Sequence, residues 1–342
     1  MHASSNLAII AAAGARKTQT VIDGALADPS RRTLITTYTN ENLRQIEARI
    51  RAVAGAVPPH VRLRTWFSLL LNDGVRPYQS AVLGGVGIVK GLNVLGKRPR
   101  FAAKGTSAFY LDNGHCVYTT EAAAFACEAE ERSGGRVLRR LEALFDQIFI
   151  DEMQDLVGYD LDFLDLLLQS RIAVTMVGDP RQYILSSGTT TKNNKYRGKG
   201  MLAWLDARVK QCARQENNES YRCNQEICDF ASALFPSLPP IRSVTTAGSP
   251  HEGIHLVEAA ELEDYVERHK PQILRRNKST KTAGLQAINI GLAKGSGYDH
   301  VLIFPTGPML KYLSHREPDR LKEPERMYVA VTRARHSVAF VV

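Results

Sequence analysis

Two adjacent carboxylates, Asp151 and Glu152, follow directly on an uninterrupted apolar run, Ile148-Phe149-Ile150. A run of that kind reads as a strand buried on both faces, the pattern of a parallel sheet covered by helices. Ligands of open α/β sheets bind at the carboxyl ends of their strands. An Asp-Glu pair there suits phosphate chemistry, with one carboxylate orienting magnesium and the other positioning a water for attack. That reading requires a phosphate cradle elsewhere, because a lone Asp-Glu pair is more often a solvated loop. Ala11-Ala12-Ala13-Gly14-Ala15-Arg16-Lys17-Thr18 supplies one. Backbone N–H groups at a helix start hold phosphates, a lysine reaches the β/γ oxygens, and a neighbouring hydroxyl joins the metal. Ala13, Gly14, Ala15, Arg16, Lys17, Thr18 and Gln19 are therefore the candidate nucleotide-binding residues, and Thr18 and Asp151 the candidate metal ligands. The departure is Arg16, which stands where such loops carry glycine. If its φ is positive the arginine is strained by roughly 1 kcal/mol; if not, it adds a cation beside the phosphates.

The elements that must position these groups alternate strand and helix. Leu7–Ile10 reads as a strand and Thr18 onward as a helix with Val21, Ile22, Ala25 and Leu26 on its inner face. Thr33–Tyr38 is the next strand, and Thr39-Asn40 caps a helix with Leu43, Ile46, Ile50 and Val53 at helical spacing. Val61–Phe67 reads as a strand. Residues 72–135 form a glycine-rich, basic insertion, with Phe109–Tyr118 a hairpin about Asn113-Gly114. The insertion suits either nucleic-acid tracking or a plain solvated surface. After the apolar helix at Leu161–Leu168, Ile172–Val177 is a further buried strand that ends in a second polar cluster, Gly178-Asp179-Pro180-Arg181-Gln182. Ser186–Gly200 is a polar loop. Beyond it come a helix through Ile227, Phe230, Ala231 and Leu234, strands at Gly253–Glu258, Gln272–Leu274 and Val301–Phe304, a helix at Arg326–Arg335, and a strand from Ser337 to Val342.

At 342 residues, with 44 Lys+Arg against 35 Asp+Glu, the chain is long enough for two domains and carries net charge +9. Ordinary apolar content argues against disorder, and the basic surplus fits a polyanionic partner. Five scattered cysteines fit free thiols in a reducing cytoplasm rather than a disulfide or zinc framework. No stretch is long enough for a signal peptide or a membrane span, so a cytoplasmic protein with no membrane partner is expected.

Taken in order, these landmarks resemble the UvrD/Rep-like superfamily 1 DNA helicases across essentially the whole chain. Thr37-Tyr38-Thr39-Asn40 and Thr65-Trp66-Phe67 look like two of the family's DNA-contacting segments, and Asp151-Glu152-Met153-Gln154-Asp155 is close to its Asp-Glu-x-Gln-Asp box. Gly178–Gln182 resembles its γ-phosphate-sensing element, Tyr221-Arg222 its adenine-stacking and phosphate-reaching pair, and Val329–Arg335 its final motif. The resemblance implies an α/β fold of two RecA-like P-loop NTPase domains with mostly parallel sheets, covering 1–210 (insertion about 72–135) and 211–342. Only 72 positions separate Arg222 from Lys294 (294 − 222), too few for the family's large accessory subdomain. In the Lys294-Gly295 motif, Gly291 replaces a histidine and Ser296-Gly297 a Leu-Glu pair.

The implied chemistry is ATP hydrolysis with Mg²⁺, with Lys17, Asp151, Glu152, Gln182, Arg222 and Arg333 catalytic and Tyr221 on the base. Tyr38, Thr39, Asn40, Thr65 and Trp66 would face single-stranded DNA, RNA being an alternative; for Trp66, core packing competes evenly with base stacking. Hydrolysis would drive translocation, of 3′→5′ polarity by resemblance, in repair, replication or phage defence. The competing expectation is an ATP-gated DNA sensor or accessory subunit that switches a nuclease or another replication or defence partner. A nucleic-acid-binding module without ATP leaves the charged landmarks unexplained together.

Overall fold

The computed structural model describes residues 6–85, 88–184, 191–246 and 248–342. The chain divides into two compact units. The first comprises Met1–Ile9, Thr18–Gly178 and Ser186–Gln215; the second comprises Ile10–Lys17, Asp179–Leu185 and Glu216–Val342. The candidate phosphate loop is thus counted with the second unit up to Lys17 and with the first from Thr18.

Fifteen strands are present among the described residues: β1 (Leu7–Ala11), β2 (Thr33–Thr37), β3 (Val61–Thr65), β4 (Gly91–Asn93), β5 (Cys116–Tyr118), β6 (Gln147–Ile150), β7 (Ala173–Gly178), β8 (Ala213–Asn217), β9 (Glu219–Ser220), β10 (Arg242–Ser243), β11 (Gly253–Val257), β12 (Gln272–Arg275), β13 (Ile288–Asn289), β14 (Tyr298–Phe304) and β15 (Ala334–Val341). The first large sheet has the order β3-β2-β6-β7-β1-β8. Its β2–β3, β2–β6 and β6–β7 ladders are all parallel. Every residue of β2 and β6 is buried, including the polar Thr33, Thr36, Thr37 and Gln147, as strands of a sheet covered on both faces are. The helix Lys17–Leu26 lays Val21, Ile22 and Ala25 against Ile35, Phe149 and Val177, and the helix Asn40–Ala54 adds Ile46 and Ile50 to the same cluster. Val53, expected on that inner face, is instead exposed.

The second sheet, β11-β15-β14-β12-β13, is parallel throughout. Leu274, Val301, Ile303, Val338 and Phe340 pack against the helices Gln225–Ala233 and Pro324–Val331 on one side. Leu302, Ile273 and Ala339 point to a smaller cluster with Leu262 on the other. Alternate residues of one strand thus enter different clusters, as the two-residue period of a strand dictates. The architecture is mixed α/β with mostly parallel sheets, as expected.

Three local readings are corrected. Phe109–Tyr118 is not a hairpin: Ser107–Tyr110 is a helical turn, and a single antiparallel bridge joins Leu111 to Val117. The Asp112 carboxylate takes the amides of Gly114 and Cys116, and β5 finds a parallel partner in β4. The strand from Val61 stops at Thr65, whose hydroxyl accepts from Ser68 N and starts a helix at Trp66. The final helix stops at Val331 rather than Arg335, and Ala334 already belongs to β15. Of the polar stretch Ser186–Gly200, residues 186–190 lie outside the described residues. Among the described residues no helix is long and apolar enough to cross a membrane, and the five cysteines are free thiols.

Candidate nucleotide site

In the first unit the carboxylates stand where β6 ends. Thr18, at the second position of its helix, donates its hydroxyl proton to Asp151 Oδ2 at 3.0 Å. Residues 133 positions apart, both chosen as metal ligands, are therefore in direct contact. Asp151 also accepts from the amide of Glu152 through Oδ1 at 2.9 Å. Glu152 itself adopts the left-handed conformation, φ 62° and ψ 43°. A non-glycine residue there is strained by roughly 1–2 kcal/mol, a pattern concentrated at functional positions. A 3-10 turn, Met153–Asp155, follows, and the Gln154 side-chain amide donates to Glu152 Oε2. Gly178, at the end of the neighbouring β7, makes this turn possible. A Cβ there would lie 2.6 Å from both Gln154 Oε1 and Met153 Cγ.

β2 and β3 end side by side, with Thr37 opposite Thr65. Tyr38, Thr39, Asn40 and Thr65 are thereby brought to one strand edge. Thr39 caps the following helix through Asn42 N, Asn40 is exposed, and the half-buried Tyr38 ring meets Phe67 edge-on at 5.1 Å. Trp66 is separate from them. It is 1 % exposed, its Nε1 donates to Asp160 Oδ1 at 2.7 Å, and its ring packs edge-on to Phe163 at 5.9 Å. Its indole presents no face to a base, so the packing alternative holds for this residue. Burial pushes the Asp160 carboxyl up to about 6 despite the Trp66 and Val157 N–H donors.

In the second unit the phosphate loop is knit to the segment after β9. Tyr221 N donates to Gly14 O at 3.0 Å. Gly14, at φ 81°, has no room for a side chain, because a Cβ would lie 2.4 Å from Ser220 Oγ and 2.9 Å from Arg222 Cβ. Lys17 Nζ donates to the carbonyls of Ala11 and Ala12, each at 3.0 Å, so the ammonium lies along its own loop. Arg16 has φ 58°, the strained alternative, and its guanidinium lies 4.0 Å from the centroid of the Tyr221 ring. Arg222 and Arg333 meet at Thr332. Arg222 donates to the Thr332 carbonyl at 3.0 Å, and Arg333 donates to its hydroxyl at 3.4 Å and to Ser296 O at 3.2 Å. Arg333 is only 2 % exposed, and Lys294 is buried as well.

Two participants were not assigned roles from sequence, Asp179 and Tyr328. Asp179 is fully buried; its Oδ2 accepts from Gln182 Nε2 at 3.0 Å and from the Tyr328 hydroxyl at 2.8 Å. The Tyr328 oxygen in turn accepts from Ala13 N of the phosphate loop at 3.0 Å. Burial and the adjacent Asp179 carboxylate hold the Tyr328 phenol well above its ordinary pKa, so it stays a donor. The one available signal was a tyrosine within an otherwise apolar helix face, Met327–Val331.

The residues present fit a magnesium nucleotide. In the first unit the Thr18–Asp151 pair matches an ion that keeps most of its waters and takes few protein ligands. Among the described residues no cluster of three or more His, Cys, Asp or Glu forms a richer metal site.

A sequence model of the UvrD/REP helicase N-terminal domain matches residues 118–187, the stretch holding both the Asp151–Asp155 turn and the Gly178–Gln182 turn. Among solved structures the chain is similar to two of the arterivirus nonstructural protein 10 helicase, one alone and one in complex with DNA. Each is 16 % identical over 98 % of this chain, covering 59 % and 61 % of those chains, with TM-scores of 0.49 and 0.51 respectively. At that identity the likeness, carried by the second structure, speaks for the fold. The chain spans about three fifths of the length of those helicases. No curated protein sequence matches it.

Proposed function

We propose that this chain, UvrD-like superfamily 1 in its motifs and fold, is an ATP hydrolase that couples turnover to movement along single-stranded DNA. The observation that carries the reading is the Thr18–Asp151 hydrogen bond, which joins the phosphate loop to the strand-end carboxylate as Mg²⁺-dependent phosphoryl transfer requires. Mg²⁺, when bound, supplies charge neutralisation at the transferred phosphoryl group. Thr18 and Asp151 would hold it. Lys17 stabilises the β/γ oxygens, and Glu152, oriented by Gln154, holds the attacking water and accepts its proton. Arg222 and Arg333, both anchored at Thr332, add cations to the developing charge. Gln182 is oriented by Asp179, which Tyr328 ties to the amide of Ala13, so phosphate occupancy at the loop is felt at the sensing glutamine. Tyr38, Thr39, Asn40 and Thr65 form the DNA-facing edge, and the net charge of +9 supports a phosphodiester partner. The family resemblance supports 3′→5′ polarity and DNA over RNA.

A second reading has its own support. Ser296-Gly297 replaces the Leu-Glu pair after Lys294-Gly295, and only 72 positions (294 − 222) separate Arg222 from Lys294. An ATP-gated DNA sensor that switches a nuclease or another replication or defence partner needs hydrolysis without sustained unwinding.

ATPase assays with and without single-stranded DNA test the first reading. Glu152→Gln is expected to lose roughly 100-fold or more of turnover while still binding ATP. Directional displacement of a labelled strand, from a 3′ but not a 5′ tail, would support the motor, whereas DNA-stimulated ATPase without displacement would support the sensor. Absence of DNA-stimulated ATPase, with Lys17→Ala no different from wild type, would overturn both.

A further inference from the structure

Arg16 is the residue that the phosphate loop does not need. It sits where a glycine would be free of strain, yet its side chain has a defined place, with the guanidinium 4.0 Å above the Tyr221 ring. Tyr221 is a large aromatic that is 41 % exposed, and its hydroxyl lies 3.4 Å from Glu219 Oε2. The two residues ride on one piece of structure. Tyr221 N is bonded to Gly14 O, and Gly14 packs directly on Ser220 and Arg222. The distance between guanidinium and ring is therefore set by a short, closed path of backbone rather than by a loop tip.

We propose that Arg16 and Tyr221 form a latch, in which the guanidinium covers the ring face that a nucleobase would stack on and has to be displaced for the base to bind. The proposal rests on the reading of this loop as a nucleotide site and adds a specificity-determining residue to it. A planar cation and a planar base compete for the same π-face, so the contact subtracts from base affinity what the cation–π interaction contributes. Triphosphate binding at the loop is untouched by that competition. Arg16 therefore weakens ligands that carry a base relative to ligands that are phosphate alone. Once displaced, the guanidinium remains on the loop, where its charge favours the phosphates.

Calorimetric titration separates these effects, using the non-hydrolysable β,γ-imido analogue of ATP and inorganic tripolyphosphate as two probes at fixed Mg²⁺. Arg16→Ala keeps the loop's backbone and removes the latch. It is expected to bind the imido nucleotide about two- to fivefold tighter than wild type, the worth of an exposed cation–π contact. Tripolyphosphate should bind no tighter, or more weakly. In a Tyr221→Ala background, Arg16→Ala should bring no gain, since the face being competed for is gone. Arg16→Lys, which keeps the charge but not the planar group, should fall between wild type and Arg16→Ala. The latch is overturned if Arg16→Ala leaves imido-nucleotide affinity unchanged or weaker while tripolyphosphate still binds; Arg16 is then a phosphate ligand only. Should neither probe bind wild type, the nucleotide reading falls and the latch with it, a result distinct from the first.

Discussion

β6 and β7 are neighbours in one parallel sheet, and each ends in a carboxylate followed by a 3-10 turn, yet the two ends are held in different ways. After β6, Asp151 accepts from the very next amide and from the Thr18 hydroxyl, but it is Glu152, at φ 62°, that shapes the turn through the backbone. After β7, Asp179 has an ordinary extended φ of −134° and gathers side chains instead: it caps Arg181 N, accepts from Gln182, and accepts from Tyr328, 149 residues away. For the proposed hydrolytic carboxylate, strain in the chain fixes the position of Glu152. For the proposed sensing element, side-chain bonds tie Asp179 to Tyr328 and, through it, to Ala13.

Substitutions can break this contrast. The largest effect is expected for Asp179→Ala. It strands the buried Tyr328 hydroxyl and the Gln182 and Arg181 donors, which should lower stability by about 3 kcal/mol or more, read from urea unfolding. Asp151→Ala should cost much less stability; equal losses would erase the distinction between the two ends.

Next is the pH response of Asp160, in the helix Tyr159–Leu168 that follows the β6 turn. Its folded carboxyl titrates at about 6, above the usual aspartate value near 4. The folded state thus holds the proton more tightly than the unfolded chain. Its favourable contribution is complete below about pH 4 and is lost as pH rises through about 6, a change of about 2–3 kcal/mol. Asp160→Asn keeps an acceptor for Trp66 Nε1 and does not titrate. The variant should gain on wild type in unfolding free energy between pH 4 and 7, and parallel curves would refute the assignment.

The smallest effect is the most diagnostic. Glu152→Gly relieves a left-handed residue and should raise stability by about 1 kcal/mol while abolishing turnover. Loss of stability on that change would show that the β6 turn is held by side chains after all.

Much of this was legible in the sequence, and the reasons for success and failure are physical. Ile148–Ile150, Leu7–Ile10 and Val301–Phe304 declared themselves because strands covered on both faces carry unbroken apolar runs. The Thr39 cap was visible because capping needs only a side chain and an amide three residues on. Asn113-Gly114 correctly marked a turn, but which strand Val117 would join depended on Gly91–Asn93, and no local pattern encodes that. The end of the last helix was hidden for a similar reason. Thr332 turns its hydroxyl back to Tyr328 O, and the apolar periodicity runs on past the point where the helix stops. Trp66 was ambiguous because an indole suits a core and a binding surface equally, and only the buried Asp160 partner separates the two. The Ala13–Tyr328 and Tyr328–Asp179 links were invisible, since both span positions that meet only once the second unit has folded.

β15 lies in the interior of the second sheet, flanked by β11 and β14, although it follows both of them in the chain. A strand inside a sheet satisfies the backbone groups of the strands on both of its sides. During synthesis, β11, which pairs with β15 alone, and β14, which also pairs with β12, therefore wait for that neighbour until residues 334–341 are made. The first sheet has no such delay, since all of its strands are complete by Asn217. The nascent chain thus passes through a stage in which one unit can be folded while the other displays open strand edges. That stage is where a chaperone would be needed most, and where aggregation would begin if synthesis stalled before residues 334–341 were made.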